Sequence, residues 1–265
     1  MQINNPFINQ AKSNTSSTTF TQVADGATRK GISLKTLFLL IVGIAAGAIV
    51  GFMFRRQIQT YIDGGLSDNQ MAEFLRKLLI FAIVASVAQF IGYLIGRLSL
   101  RLAAFGAVVY AVGEGSLIGI LCGAGEIFVP GVTVVAGGAT IAIVGLTYLA
   151  YALNLRKHMS KIGIFALVYA LGLILTVIGL SLYSVLGHVS WNTYFTIEMV
   201  IAALYIGWGI LMLLMTFWEA EIATENGLDK RNEWSIALGI LYAVFLIFVY
   251  VFRIIILIAA NSEKR

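Results

Sequence analysis

Three charged residues stand where a charge is costly. Glu114, Glu198 and Arg253 each lie inside a long apolar run, and a charge held in hydrocarbon costs from about 3 to more than 10 kcal/mol. Groups kept there at such expense line ion paths or neutralise one another. Arginine suits the cationic role because it stays protonated, while a carboxylate beside it can gain or lose a proton. At the helical rise per residue, Arg253 lies roughly 10 Å before its run ends at Ala260, Glu198 roughly 6 Å into its own, and Glu114 roughly 13 Å before Gly123. All three fall in one half of the membrane. Arg253 is therefore expected to pair with Glu114, Glu198 or both, the alternative being that it snorkels to headgroups while Glu198 reaches interfacial water.

A second group is acidic. Glu219, Glu221, Glu225, Asp229 and Glu233 put five acids in fifteen residues, with Glu221 and Glu225 on one helical face. Such a stretch draws divalent cations or is a solvated loop, and the solvated loop is the commoner arrangement. Other chemistry is sparse. There is no HExxH pattern, His158 and His188 belong to different loops, and no aspartate lies in an apolar run. His188 and Ser190 lack a third triad member. Gly113-Glu114-Gly115-Ser116 sits within a helical run and has no strand before it, unlike a phosphate cradle. Cys122 is the single cysteine, so no intrachain disulfide forms and it reads as a packed core residue. No metal site, cofactor or enzymatic activity is expected.

The elements that position these residues are membrane helices. The 265 residues are 59% hydrophobic and 12% charged, with mean hydropathy +0.90, whereas soluble chains carry about 25% charged residues. Crossing ~30 Å of hydrocarbon takes about 20 apolar residues. Seven runs qualify: Thr36–Phe54, Lys77–Gly96, Leu102–Gly123, Val129–Leu153, Ile162–Leu186, Tyr194–Trp218 and Trp234–Ala260. The fold class is thus all-α, a polytopic seven-transmembrane-helix bundle in a lipid bilayer. A polar tail, 1–33, is expected to be disordered, 34–260 to form the bundle, and 261–265 a short tail. The short link Ala124–Phe128, which contains Glu126, predicts a tight antiparallel hairpin. The net charge of +5 resides at helix ends, as orientation in a membrane requires, and not in a nucleic-acid-binding surface. Eleven basic residues against six favour an N-terminus in the cytosol. Gly43, Gly47 and Gly51 on the first helix, and Gly115, Gly119 and Gly123 on the third, repeat every four residues. Each set makes a groove in which another helix backbone can approach closely.

Helix three also carries a motif. Val109-Tyr110-Ala111-Val112-Gly113-Glu114-Gly115, followed by Gly119, resembles the signature YAxxEGxxxG of bacterial Bax inhibitor-like membrane proteins, part of the transmembrane Bax inhibitor motif superfamily. Asn5-Pro6-Phe7, Pro130-Gly131, Ala139-Thr140, Gly227, Trp234 and Arg253 agree with it along most of the chain. The resemblance implies a bundle with a central last helix in the bacterial cytoplasmic membrane, and a pH-sensitive leak for cations, calcium among them. It also admits a non-conducting regulator that binds another membrane protein, such as a protease or secretion complex. The family's acid pair on helices six and seven has no counterpart: its positions fall near Thr216 or Trp218 and on Tyr250. Glu114 and Arg253 match family positions, so proton sensing would rest on Glu114 or on Glu219 and Glu221.

Overall fold

The computed structural model describes residues 26–65, 67–153, 159–186 and 191–262. The expected features at Asn5-Pro6-Phe7, His158, His188 and Ser190 lie outside them. Seven helices follow one another: α1 (Arg29–Ile62), α2 (Asp68–Leu98), α3 (Ala103–Phe128), α4 (Val132–Leu153), α5 (Met159–Leu186), α6 (Trp191–Glu225) and α7 (Asn232–Ser262). All seven are long and apolar enough to cross a membrane. Large apolar side chains such as Ile44, Phe52, Val134, Leu167 and Leu175 are exposed around the bundle. A soluble surface does not carry such a continuous apolar coat, and lipid accommodates it.

Most helices run beyond the apolar stretches that mark them. Hydropathy measures hydrocarbon thickness, whereas a helix continues into the headgroup layer until its ends are capped. For α1 that cap is Thr28, whose hydroxyl accepts the Gly31 N–H at 2.9 Å. Helix therefore begins at Arg29, inside the segment expected to be disordered tail. Ahead of it, Gly26 bridges Asp229, and the Ala27 N–H donates to the Leu228 carbonyl at 2.7 Å. The start of α2 is a capping box, with Ser67 and Gln70 exchanging side-chain and backbone hydrogen bonds, which satisfies two otherwise orphaned donors.

The predicted tight hairpin of α3 and α4 does not form. Glu126 belongs to the last turn of α3, and its carboxylate accepts the N–H groups of Gly131 and Thr133 at 2.8 and 2.9 Å. It thus caps α4 across a turn in which Gly131 adopts φ +84°. Beyond that turn the two helices diverge, α3 packing on α1 and α2 while α4 packs on α7 and α6. The face α3 would have offered is already taken. Gly43, Gly47 and Gly51 of α1 lie directly on Gly115, Gly119 and Gly123, so the two glycine grooves fill each other.

The last helix is central, in contact with α1, α2, α3, α4 and α6. Toward one side Leu238, Leu241 and Phe245 pack on Leu39, Ala107 and Ala111. Toward the other, Ala243, Ile247 and Phe252 pack on Val132, Ala136 and Leu213. Helix α5 is peripheral and packs on α6. Contacts of this kind, not burial from water, hold helices together inside a bilayer.

Candidate functional site

The polar side chains gather at three levels along the bundle. The first is the end where α1 begins and α6 meets α7. Arg97, near the C-terminus of α2, reaches across to α6 and forks onto Glu219, Nη1 to Oε2 at 3.0 Å and Nη2 to Oε1 at 3.2 Å. Nη1 also donates to the Ser235 carbonyl in the first turn of α7, at 3.3 Å. One guanidinium thus ties three helices, with the planar fork that matches a carboxylate. Glu221, 8% exposed, accepts the Tyr151 hydroxyl at 2.5 Å and faces Arg29 at 3.4 Å. Glu233 is fully buried. It takes the Thr28 N–H at 2.7 Å, the Thr28 hydroxyl at 3.1 Å and the Lys35 ammonium at 2.6 Å. The acidic stretch is therefore not a solvated loop as expected. Glu219, Glu221 and Glu233 turn into the bundle and are matched by Arg97, Arg29 and Lys35, while Glu225 and Asp229 face outward. Among the described residues no three acids, histidines or cysteines group to hold a metal.

The second level is the opposite end. Arg253 meets Glu198, Nη2 to Oε2 at 2.5 Å, an ion contact outside hydrogen-bond geometry. The guanidinium side chain is 42% exposed and the carboxylate 13%. Glu114 takes no part. Helices α3 and α7 run parallel, with Tyr110 against Tyr242 and Gly125 against Phe252. The neighbour of Arg253 is thus level with residue 125, eleven residues or roughly 16 Å along α3 from Glu114. Counting inward from the ends of apolar runs missed this offset, because α3 extends five residues past Gly123.

The third level is a cleft of about 380 Å³ halfway along the helices, between α2 and α3 on one side and α6 and α7 on the other, open to the bundle surface beside the exposed Phe90. Glu114, half-buried, lines it with Gln89, Tyr93, Tyr110, Trp208 and Tyr242. The three tyrosine rings cluster with centroids 5.2 to 6.3 Å apart. Gln89 is within hydrogen-bonding reach of the Glu114 carboxyl, and its own carbonyl oxygen is buried with no partner. Gly113 makes this arrangement possible, since a Cβ there would come within 2.9 Å of the Gln89 side chain. Sequence reasoning found Glu114 and Tyr110 but passed over Gln89, Tyr93, Trp208 and Tyr242. A signal was present. Aromatic residues with a polar edge favour membrane interfaces, whereas Trp208 and Tyr242 fall well inside their helices.

The model of the family described as Bax inhibitor 1 like matches residues 5–260. No curated protein and no solved structure matches the chain.

Proposed function

This chain belongs to the Bax inhibitor 1 like family, and from that premise we propose that it is a passive, pH-sensitive cation leak, not an enzyme, with calcium the ion to which the resemblance points. It works in the bacterial cytoplasmic membrane with its N-terminus in the cytosol. One observation carries the reading: Glu114 places a carboxylate on a cleft halfway along a membrane bundle. Ionised, that group attracts cations into a region they otherwise avoid, and a proton cancels the attraction. The Arg97–Glu219 bridge supports a gate on the same path. It links α2 to α6, which otherwise hardly touch, and puts a fixed positive charge between the cavity and the end where α6 joins α7. Loss of the Glu219 charge would remove this tie between α2 and α6.

Calcium flux into proteoliposomes across a pH series tests the proposal. Wild type is expected to conduct with a pH-dependent rate, and Glu114→Gln to lose at least tenfold of the flux and most of the pH response. Absence of flux at every pH would overturn the leak. Undiminished flux in Glu114→Gln would remove Glu114 from the path.

A second reading, a regulator that docks another membrane protein, has one observation in its favour. The glycine grooves of α1 and α3 are spent on each other, but Gly137 and Gly138 of α4 and Gly163, Gly172 and Gly179 of α5 face open space among the described residues. Small residues on lipid-facing helices are where a partner's helix approaches closely.

A further inference from the structure

We propose that the mid-bundle cavity is a recognition site for an organic ammonium cation of about the size of choline. The inference deepens the leak reading by naming a ligand for the same site, and rests on that reading only for its consequence, occlusion of the path.

The lining determines the class of ligand. At about 380 Å³ the cavity falls within the ~300–1,000 Å³ of small-molecule sites. It holds one carboxylate, Glu114, so it favours a cation over an anion. A bare calcium ion needs six to eight oxygen ligands, and among the described residues no three acidic or other metal-ligating side chains converge. A single carboxylate offers little to a small dication that must shed its hydration shell.

Much of the rest of the wall is aromatic, with Tyr93, Tyr110, Tyr242 and Trp208 around the same space beside Met212 and Leu246. Electron-rich ring faces attract a cation whose charge is spread over alkyl groups and whose hydration is weak. A quaternary ammonium is such a cation. A neutral apolar guest of the same shape would leave the Glu114 charge without compensation.

Gln89 holds the carboxyl in place: its side chain is within hydrogen-bonding reach of Glu114, on the wall of the same space.

The experiment is isothermal titration of the purified full-length protein in detergent micelles with choline and with its neutral isostere 3,3-dimethylbutan-1-ol. Choline is expected to bind saturably and at least tenfold more tightly than the isostere. Glu114→Gln and Trp208→Leu should each weaken choline at least tenfold, and Trp208→Phe should retain it. Glu114→Gln is nearly isosteric and decides the matter even if Trp208→Leu fails to fold. Equal binding of choline and the isostere, no choline binding, or undiminished binding in folded Glu114→Gln would overturn the proposal. Titration and flux separate the two readings. Choline binding by a protein that passes no calcium overturns the leak and leaves the site. Calcium flux without choline binding overturns the site and leaves the leak.

Discussion

Glu233 has the most demanding environment of any acid described here. Its side chain is fully buried, and its oxygens are occupied by a backbone N–H, a hydroxyl and an ammonium. Lys35 also lies over the Trp234 ring, 5.2 Å from its centroid. Removing one member of a buried pair strands the other, at a penalty of about 3 kcal/mol or more. Glu233→Ala is accordingly expected to lower unfolding free energy by about 3 kcal/mol, measured by denaturant titration in mixed micelles. Glu233→Gln should lose less, because its amide oxygen can still accept from Thr28. If Glu233→Ala unfolds with the wild type, the junction of α1 and α7 is not a stabilising element. None of this was legible in the acid's sequence neighbourhood. Glu233 is one of five acids in a polar stretch, and its partners Thr28 and Lys35 are some two hundred positions away. By contrast, Arg253 and Glu114 were conspicuous because a charge in an apolar run needs no partner to be noticed. What the run could not give was which acid Arg253 meets, since that depends on the relative slide of α3, α6 and α7.

The seam between α1 and α3 shows the same limit in whole helices. Spacing by four announces a small-residue face, and the two faces were read from the sequence alone. That they lie on each other follows from how the chain turns between them. At Gly119 an added Cβ would strike the Gly47 carbonyl, and at Gly47 it would come within 2.7 Å of the Gly115 oxygen. Neither obstacle is a flexible side chain, so the helices must separate. Overpacking of this kind costs about 1–3 kcal/mol, and Gly119→Ala should destabilise by that amount. Gly137, on α4, meets open space. There the same substitution should be neutral or stabilising by up to about 1 kcal/mol, since alanine is the better helix former. Thermal unfolding in detergent reads both variants. Equal shifts for the two would show that the seam is not closely packed. Helix existence was legible from hydropathy, whereas the α3–α4 hairpin was misjudged. Linker length limits how far two helices can separate, but it does not make them pack when one already has a better partner.

At the scale of the whole molecule, the two ends of a membrane-spanning bundle lie in different compartments, and seven spans put the segments before α1 and after α7 on opposite sides. Arg29, Arg97, Glu219, Glu221 and Glu233 lie toward one end, and Glu198, Arg253 and Glu126 toward the other. Seven apolar runs sufficed to predict the architecture, because lipid leaves the backbone little choice but helix. The cavity was not predictable in that way. Four helices build it, and it exists only because Gly113 lets α2 approach α3 while α2 stays apart from α6. Which end faces the cytosol is a separate physical matter, decided by basic residues resisting translocation. Their distribution predicts that Asn226, at the α6–α7 turn, is cytosolic, while Asn69 and Ser262 are external. All three are exposed. In a Cys122→Ser background, a membrane-impermeant maleimide should label Asn69→Cys and Ser262→Cys on intact cells, and Asn226→Cys only after permeabilisation. The reverse pattern would invert the bundle and put the Arg97–Glu219 bridge at the outer mouth. Labelling of Asn226→Cys and Ser262→Cys from the same side would mean that α7 does not cross, and would remove the central helix on which every proposed site depends.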